Sequence, residues 1–490
     1  MDTRALASSA AGSCGGVGAA ACGGAKPSVV GGLPSAEARR MAADALILSF
    51  PNAKFFQLSF HDLFGVQRSK LVPRSALRSV ASAGAGFAGF AAHLDISPVD
   101  GDLLAIPDAS TATRLPWKPE VVWVACDLEL FGVPLAHGPR NVARGALERL
   151  KAVHGVSLKT GVEAEFFVLQ APENAASSPL IGDSVLDAQA KPCYDAHALM
   201  RKYDFISKML EYMEALGWKP YQADHEDANG QFEINWEFDD ALVSADRHAF
   251  FKYMARSVAE AHGFRVTFMP KPFIDKAGSG CHAHISLHDV STGANVCGDA
   301  SNSAMHGLSS VALSALSSIL EGAPALAALT NPTVNSYKRI NCAGTTSGAT
   351  WSPDAIAWAG NNRTAMVRVP DAPRMELRLA DMAVNPYLLS AGIAALVHDG
   401  LDRGLAAACP PPSDVNFYDH GSEASAAARA RAGRLPRSLR DALDALDDSA
   451  AMRRNLGDAF VDSYLKLRRA HWDEYTAELS AWEVQQYLDC

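Results

Sequence analysis

Four stretches of the chain set an apolar face against a chemically loaded one with the two-residue period of a β-strand. Along residues 161–169, Glu163 and Glu165 project together while Val162, Ala164, Phe166 and Val168 face a core. The two carboxylates then lie about 6.6 Å apart, at roughly 3.3 Å of rise per residue. Like charges that close are unfavourable unless cations stand between or beside them. Residues 231–238 repeat the alternation around Glu233, residues 281–288 place His282, His284 and Ser286 on one face, and residues 375–379 pair Glu376 with Arg378. Solvated strand faces usually carry mixed Lys, Thr and Ser, and these do not. The pattern predicts a single sheet lining a funnel, with an active site on its loaded face.

Helical periodicity runs through residues 143–153, 199–216, 246–262, 304–320, 386–400 and 452–479. These segments alternate irregularly with the four strands, which predicts an α+β class with an antiparallel sheet. Upstream, residues 53–139 read as short strands and turns: 55–60, a turn at Asp62 and Gly65, then 66–72 and 121–128. Gly84 to Gly89 matches G-x-G-x-x-G, but Pro98, Gly101 and Pro107 follow instead of a helix, so a dinucleotide site is rejected. Residues 410–412 and 424–434 are expected to be loops or a surface helix.

Length and charge narrow the class. A chain of 490 residues exceeds one compact core, so two domains are expected: a small β domain at 35–140 and a larger one at 141–490. Residues 1–34, rich in Ala, Gly and Ser, are expected to form a disordered tail rather than a secretory or organellar transit segment. The net charge of −10 argues against nucleic acid or an anionic membrane as partner. No apolar run reaches the ~20 residues that span a bilayer. Nine cysteines without a C-x-x-C pair fit free thiols in a reducing compartment, and a cytoplasmic location is expected.

Collected together, the acids are Glu163, Glu165, Glu226, Glu233 and Glu376, joined by His282; Glu226 sits in the turn entering the second strand. Burying unpaired charge costs several kcal/mol per ion. An oxygen-rich set with one imidazole suits Mg²⁺ or Mn²⁺, and two divalent ions nearly balance five carboxylates. Arg339, Arg363, Arg368, Arg374 and Arg378 look like clamps for phosphate and carboxylate groups. Metals plus arginines without a P-loop imply phosphoryl transfer on an anionic substrate.

Eight ordered motifs carry a resemblance to the glutamine synthetase family over about residues 40–490. They are Glu163-Ala164-Glu165-Phe166-Phe167, Gly230-Gln231-Phe232-Glu233, Phe268-Met269-Pro270-Lys271-Pro272 and Gly278-Ser279-Gly280-Cys281-His282-Ala283-His284. The others are Asn335-Ser336-Tyr337-Lys338-Arg339, Asn362-Arg363-Thr364, Arg374-Met375-Glu376-Leu377-Arg378 and Asn385-Pro386-Tyr387-Leu388. Within the family the chain is similar to the bacterial type III-like branch and to the γ-glutamylmethylamide synthetases.

The resemblance implies a β-grasp domain before the catalytic domain, and a ring-shaped homo-oligomer, often a dodecamer, with shared active sites. It implies that Glu165, Glu226 and Glu233 hold one metal ion, and Glu163, His282 and Glu376 another facing the phosphates of ATP. Arg339 and Arg378, with Gly278, would hold L-glutamate. Arg363, Arg368 and Arg374 would contact phosphates, and His284 with Ser286 the nucleotide. The implied catalytic residues are Arg339, Arg363 and Arg378, and the implied reaction passes through γ-glutamyl phosphate to an amide.

Departures from the family pattern bear on the amine. The usual Phe-Asp-Gly-Ser-Ser loop reads Phe87-Ala88-Gly89-Phe90-Ala91, so an acid that holds ammonium is missing. No acid follows Arg339 before Asp354, where the family's flap normally carries a glutamate, and Ala277 replaces a common asparagine. A small alkylamine such as methylamine is therefore expected above ammonia, with Asp95 or Asp100 as substitute acids for ammonium in the contrary case. Tyr418, where some members are adenylylated, is expected to be a packed loop tyrosine. A non-catalytic relative should have lost metal ligands, and all six are present. A ligase for a different acid or a polyamine is the other alternative.

Overall fold

A computed structural model describes residues 34–170, 186–371 and 373–490. The expected tail lies almost wholly outside the described residues. Among the described residues two sheets carry the chain. The first holds β1 (Phe55–His61), β2 (Gln67–Pro73), β3 (Ala85–Phe87), β4 (Leu103–Pro107), β5 (Thr113–Leu115), β6 (Lys118–Leu130) and β7 (Val133–Pro134). Its main path runs β2-β1-β6-β4-β3, with β1 parallel to β6 and the other pairs antiparallel.

The second sheet holds β8 (Val156–Gln170), β9 (Pro220–His225), β10 (Gln231–Trp236), β11 (Asp239–Asp240), β12 (Phe264–Thr267), β13 (Cys281–Asp289), β14 (Trp358–Ala359), β15 (Val367–Arg368) and β16 (Met375–Leu377). Its order is β14-β15-β16-β13-β8-β10-β9, and it is antiparallel apart from β14 and β15. This is the expected α+β class, with a funnel-like sheet. Helices Pro139–His154, Ala241–Ala261 and Pro386–Arg403 pack behind it, and one continuous apolar core joins both sheets.

Several expected boundaries move. Residues 199–216 break into helices Ala196–Met200 and Tyr203–Ala215. The helix expected from 304 begins at Ser310, capped by Ser309, after a 3₁₀ turn at Ser303–Met305. The long helix expected over 452–479 is two helices, Ala450–Leu456 and Asp458–Ala477, because Gly457 adopts φ +91° between them. Residues 423–432 form a helix that buries Ser425, Ala428 and Arg429. The strand face of Glu163 and Glu165 is loaded only at that end: Phe167 and Leu169 continue it as an apolar cluster with Ala228 and Ala277. No single helix among the described residues is long and apolar enough to cross a membrane; the bent apolar pair Ser310–Glu321 and Ala323–Thr330 lies in the core.

Candidate active site

Strand register assembles the site. Antiparallel β13 sets His282 opposite Glu163, and β16 on its far side sets Glu376 opposite His284. On the other edge of β8, β10 brings Glu233 opposite Glu165 and Asn235 opposite Glu163. Glu226 enters from the turn between β9 and β10, where its backbone N–H donates to the Gln231 carbonyl at 2.9 Å. Alternation then delivers these side chains to one face.

The tightest group is Glu163, His282 and Glu376, whose donor atoms all lie within 4.8 Å of one another. His282 Nδ1 is 2.8 Å from Glu163 Oε2 and 3.8 Å from both Glu165 Oε1 and Glu376 Oε1. His284 Nε2 meets the other Glu163 oxygen at 2.8 Å. Burial pushes the Glu163 carboxyl up, but the hydrogen bonds and charges of His282 and His284 together hold it below its ordinary range. Glu376 is likewise opposed by burial and held low by Arg378, His282 and Arg368. Glu226 and Glu233 behave in the opposite way. Burial first, then the facing carboxylates (Glu165 for Glu226; Glu163, Glu226 and Glu165 for Glu233), push both well above the ordinary range.

The donor set suits divalent cations. The Gly280 N–H donates to Glu165 Oε2 at 2.8 Å. A Cβ on Gly280 would stand 2.9 Å from both Glu165 Oε1 and His282 Nε2 and 3.0 Å from Arg339 Nη2, so only glycine leaves the space where these groups converge. His282 Nε2, Gln231 Oε1 and Asn235 Oδ1 are buried there without hydrogen-bond partners. Carboxylates with a single imidazole and amide oxygens are ligands for a hard, oxygen-preferring ion.

The arginines divide. Arg339, buried, donates to the carbonyls of Leu379 at 3.0 Å and Arg378 at 3.3 Å, and a Cβ on Gly278 would meet its Cγ at 3.0 Å. Arg378 donates to Glu376 Oε1 at 2.8 Å and to the Trp351 carbonyl at 3.2 Å, leaving its buried Nε without a partner. Arg368 Nε donates to Glu376 Oε2 at 2.5 Å. Arg368 and Arg378 thus each pair with Glu376, whose buried charge needs theirs. Arg374 pairs with Asp371 at 2.7 Å and, with His284, Ser286, Gly161, Tyr221 and Phe238, lines a cavity of about 330 Å³. Arg363 stands on a separate, wider depression with Trp351, Asn362 and Tyr418, outside the hydrogen-bonded cluster. The half-buried Tyr418 donates its hydroxyl to the Arg363 carbonyl at 3.4 Å, and burial pushes its pKa up.

Three polar residues of the site were not singled out from sequence. Gln231 donates to Glu165 Oε2 at 3.2 Å and to the Gly278 carbonyl at 3.0 Å, and Asn235 donates to Glu233 Oε1 at 2.8 Å. Both alternate in step with Glu233, so the strand pattern contained them. Asp227 accepts from Ser347 Oγ and Trp351 Nε1, each at 2.5 Å, and so fastens the flap to the turn that carries Glu226. No local pattern announces a partner that distant in sequence.

Acids gathered as for cations, flanked by arginines and a cavity with aromatic walls, fit metal-dependent phosphoryl transfer, and comparison with known proteins gives the family. Residues 136–487 match the glutamine synthetase catalytic domain model. The chain is 49% identical over 438 residues to the glutamine synthetase of Rhizobium leguminosarum bv. phaseoli, covering 89% of this chain and 97% of that one. It is 40% identical to the glutamate–methylamine ligase of Methyloversatilis universalis, over 89% and 96% of the two chains. A solved GmaS/ADP complex superposes with a TM-score of 0.83 at 47% identity, over 91% and 99% of the chains. The chain belongs to the glutamine synthetase family and is an ATP-dependent carbon–nitrogen ligase.

Proposed function

We propose that the chain joins L-glutamate to a small amine, methylamine in preference to ammonia, using ATP. The observation that carries the ligase chemistry is the Glu163–His282–Glu376 group within 4.8 Å, set beside Arg339 and Arg378. Glu163, His282 and Glu376 would hold a divalent ion facing the nucleotide phosphates, and Glu165, Glu226 and Glu233 a second, nearer glutamate and the amine; Mg²⁺ and Mn²⁺ suit both sets. When bound, the ions neutralise charge on the phosphoryl group being transferred. Arg339 and Arg378, with the Gly278 backbone, orient glutamate. Arg363, Arg368 and Arg374 take phosphate contacts, and His284 and Ser286 border the nucleotide.

Glutamate's γ-carboxylate oxygen attacks the terminal phosphorus, ADP leaves, and γ-glutamyl phosphate results. The amine nitrogen then attacks the acyl carbon, phosphate departs, and the nitrogen loses a proton. Most of the acceleration comes from positioning and fixed charge.

Methylamine is favoured by what the nearby acids are doing. Asp95 is paired with Lys466 at 2.6 Å, Asp100 accepts from the Ser97 N–H at 2.8 Å, and Asp354 pairs with Arg429 at 2.5 Å. Asp95 and Asp354 are held by those ion pairs and so are not free to replace the acids that Ala88 and the 341–346 flap lack, whereas Asp100, exposed and bonded to one backbone N–H, keeps an oxygen open. Phe90, beside Ala88, is 63% exposed, so its apolar wall serves a site only where another subunit meets it. This fits a ring-shaped homo-oligomer, with a β-grasp domain at 35–140 completing a neighbour's catalytic domain at 141–490. The second reading, strict use of ammonia, is favoured by the 49% identity to a glutamine synthetase.

The test is kcat/KM for methylamine and for ammonium, from ATP- and glutamate-dependent phosphate release, in wild type and Ala88→Asp. One methyl group in a fitted pocket is worth about 10–200-fold. Wild type should favour methylamine within that range and Ala88→Asp should move the ratio toward ammonium. A preference for ammonium left unchanged by the substitution refutes the reading.

A further inference from the structure

Away from the funnel, helices Pro139–His154 and Pro386–Arg403 pack together, and at their contact His154, His398 and Asp402 bring their donor atoms within 4.8 Å of one another. His398 and Asp402 are one helical turn apart on the same face, and His154 is the last residue of the other helix. The geometry points to a binding site for a borderline divalent transition ion, Zn²⁺ foremost, held by His154, His398 and Asp402 and separate from the catalytic ions.

Two observations carry it. The first is spacing. His154 Nε2 lies 3.3 Å from Asp402 Oδ1, and His398 Nδ1 lies 3.2 Å from Asp402 Oδ2. Charge-assisted hydrogen bonds are shorter, about 2.7–2.9 Å. Ligands at about 2.0–2.1 Å from a tetrahedral zinc stand roughly 3.3–3.4 Å from one another, close to the separation of each imidazole nitrogen from its nearer Asp402 oxygen.

The second is satisfaction. His398 is 7% exposed, and neither of its ring nitrogens has a hydrogen-bond partner; His154 Nε2 has none either. A neutral imidazole always carries one N–H, so a buried ring with both nitrogens unmatched leaves a donor and an acceptor unserved. The nitrogens sit near the carboxylate but misaligned with it. A shared ion would use a lone pair on each ring. Arg149, whose charge reaches His398, directs its guanidinium to the carbonyls of Arg454 at 3.2 Å and Asn455 at 3.1 Å. Asp402, with its side chain 44% exposed, opens the fourth position to water. Two imidazoles and one carboxylate on two helices select a nitrogen-preferring ion, whereas the funnel selects an oxygen-preferring one. Such an ion would fasten the end of the helix leading into β8 to the helix behind the sheet.

The full chain, stripped with a chelator, is titrated with Co²⁺, reading ions bound per chain and the visible band of tetrahedral cobalt. Wild type should bind one ion more than His398→Ala and than Asp402→Asn, and both variants should lose the band. Glu376→Gln should keep it. Asp402→Asn, nearly isosteric and half exposed, guards against a folding defect in His398→Ala and should retain Mg²⁺-dependent phosphate release. Equal ion counts in wild type and Asp402→Asn, or a band lost in Glu376→Gln but kept in Asp402→Asn, overturn the site.

Discussion

Arg140 and Glu233 are both nearly buried charges, and their surroundings are opposites. Arg140, where the first sheet meets the helices, donates to Asp246 at 2.9 and 2.8 Å, to Asp127 at 2.8 Å and to Asp108 at 3.0 Å. Arg144 adds contacts to Asp108 and Asp127 at 2.7 and 2.9 Å, and the Tyr387 hydroxyl donates to Asp246 at 2.8 Å. Burial works against ionised Asp108, yet Arg140, Ser110 and Arg144 hold its carboxyl well below the ordinary range. Glu233 accepts from Asn235 but faces Glu163, Glu226 and Glu165, and its carboxyl is pushed well up. The chain brings its own cations to the first cluster and leaves the second acid-rich. A buried cluster completed from within holds the fold, whereas one left short of cations is arranged to receive them with substrate.

The sharpest way to break this contrast is to exchange the consequences. Arg140→Ala leaves three aspartates without their shared partner and should cost about 3–5 kcal/mol of stability, read by denaturant unfolding, while the remaining folded protein keeps its turnover. Equal turnover loss at unchanged stability would place Arg140 with the reacting groups. Glu163→Gln should act the other way, lowering ATP- and glutamate-dependent phosphate release by about 10²–10³-fold, the range for removing a group that stabilises transferring charge, with little change in melting temperature.

A smaller effect is expected in acid. Asp108 has a folded pKa below its ordinary 3.8, so its contribution is present above that value and is lost as pH falls beneath it. Wild type should therefore lose stability through that acid limb, and Asp108→Asn should begin lower and flatten the limb. A limb equally steep in the variant would remove Asp108 from the cause.

The acid-lined sheet was legible because a strand has a strict period of two: alternation alone puts Glu163, Glu165, Glu233, His282 and Glu376 on the loaded faces of their strands. Helix ends were less legible, since Gly457 breaks a run whose apolar period continues through it. What pattern could not supply was pairing across the chain. Glu376 between Arg368 and Arg378, and Asp227 fastened to Ser347 and Trp351, depend on strand register and flap placement. The Arg140 network was invisible for the same reason, because its aspartates lie on three different elements.

Glu233→Gln, melted in chelator and assayed at saturating Mg²⁺, tests the account most directly. Removing one of several mutually repelling buried acids should leave the metal-free melting temperature at or above that of wild type, while phosphate release with glutamate and amine falls by about 10²-fold or more. A variant that melts lower in chelator yet keeps wild-type turnover would contradict the claim that this acid is there for cations rather than for the fold.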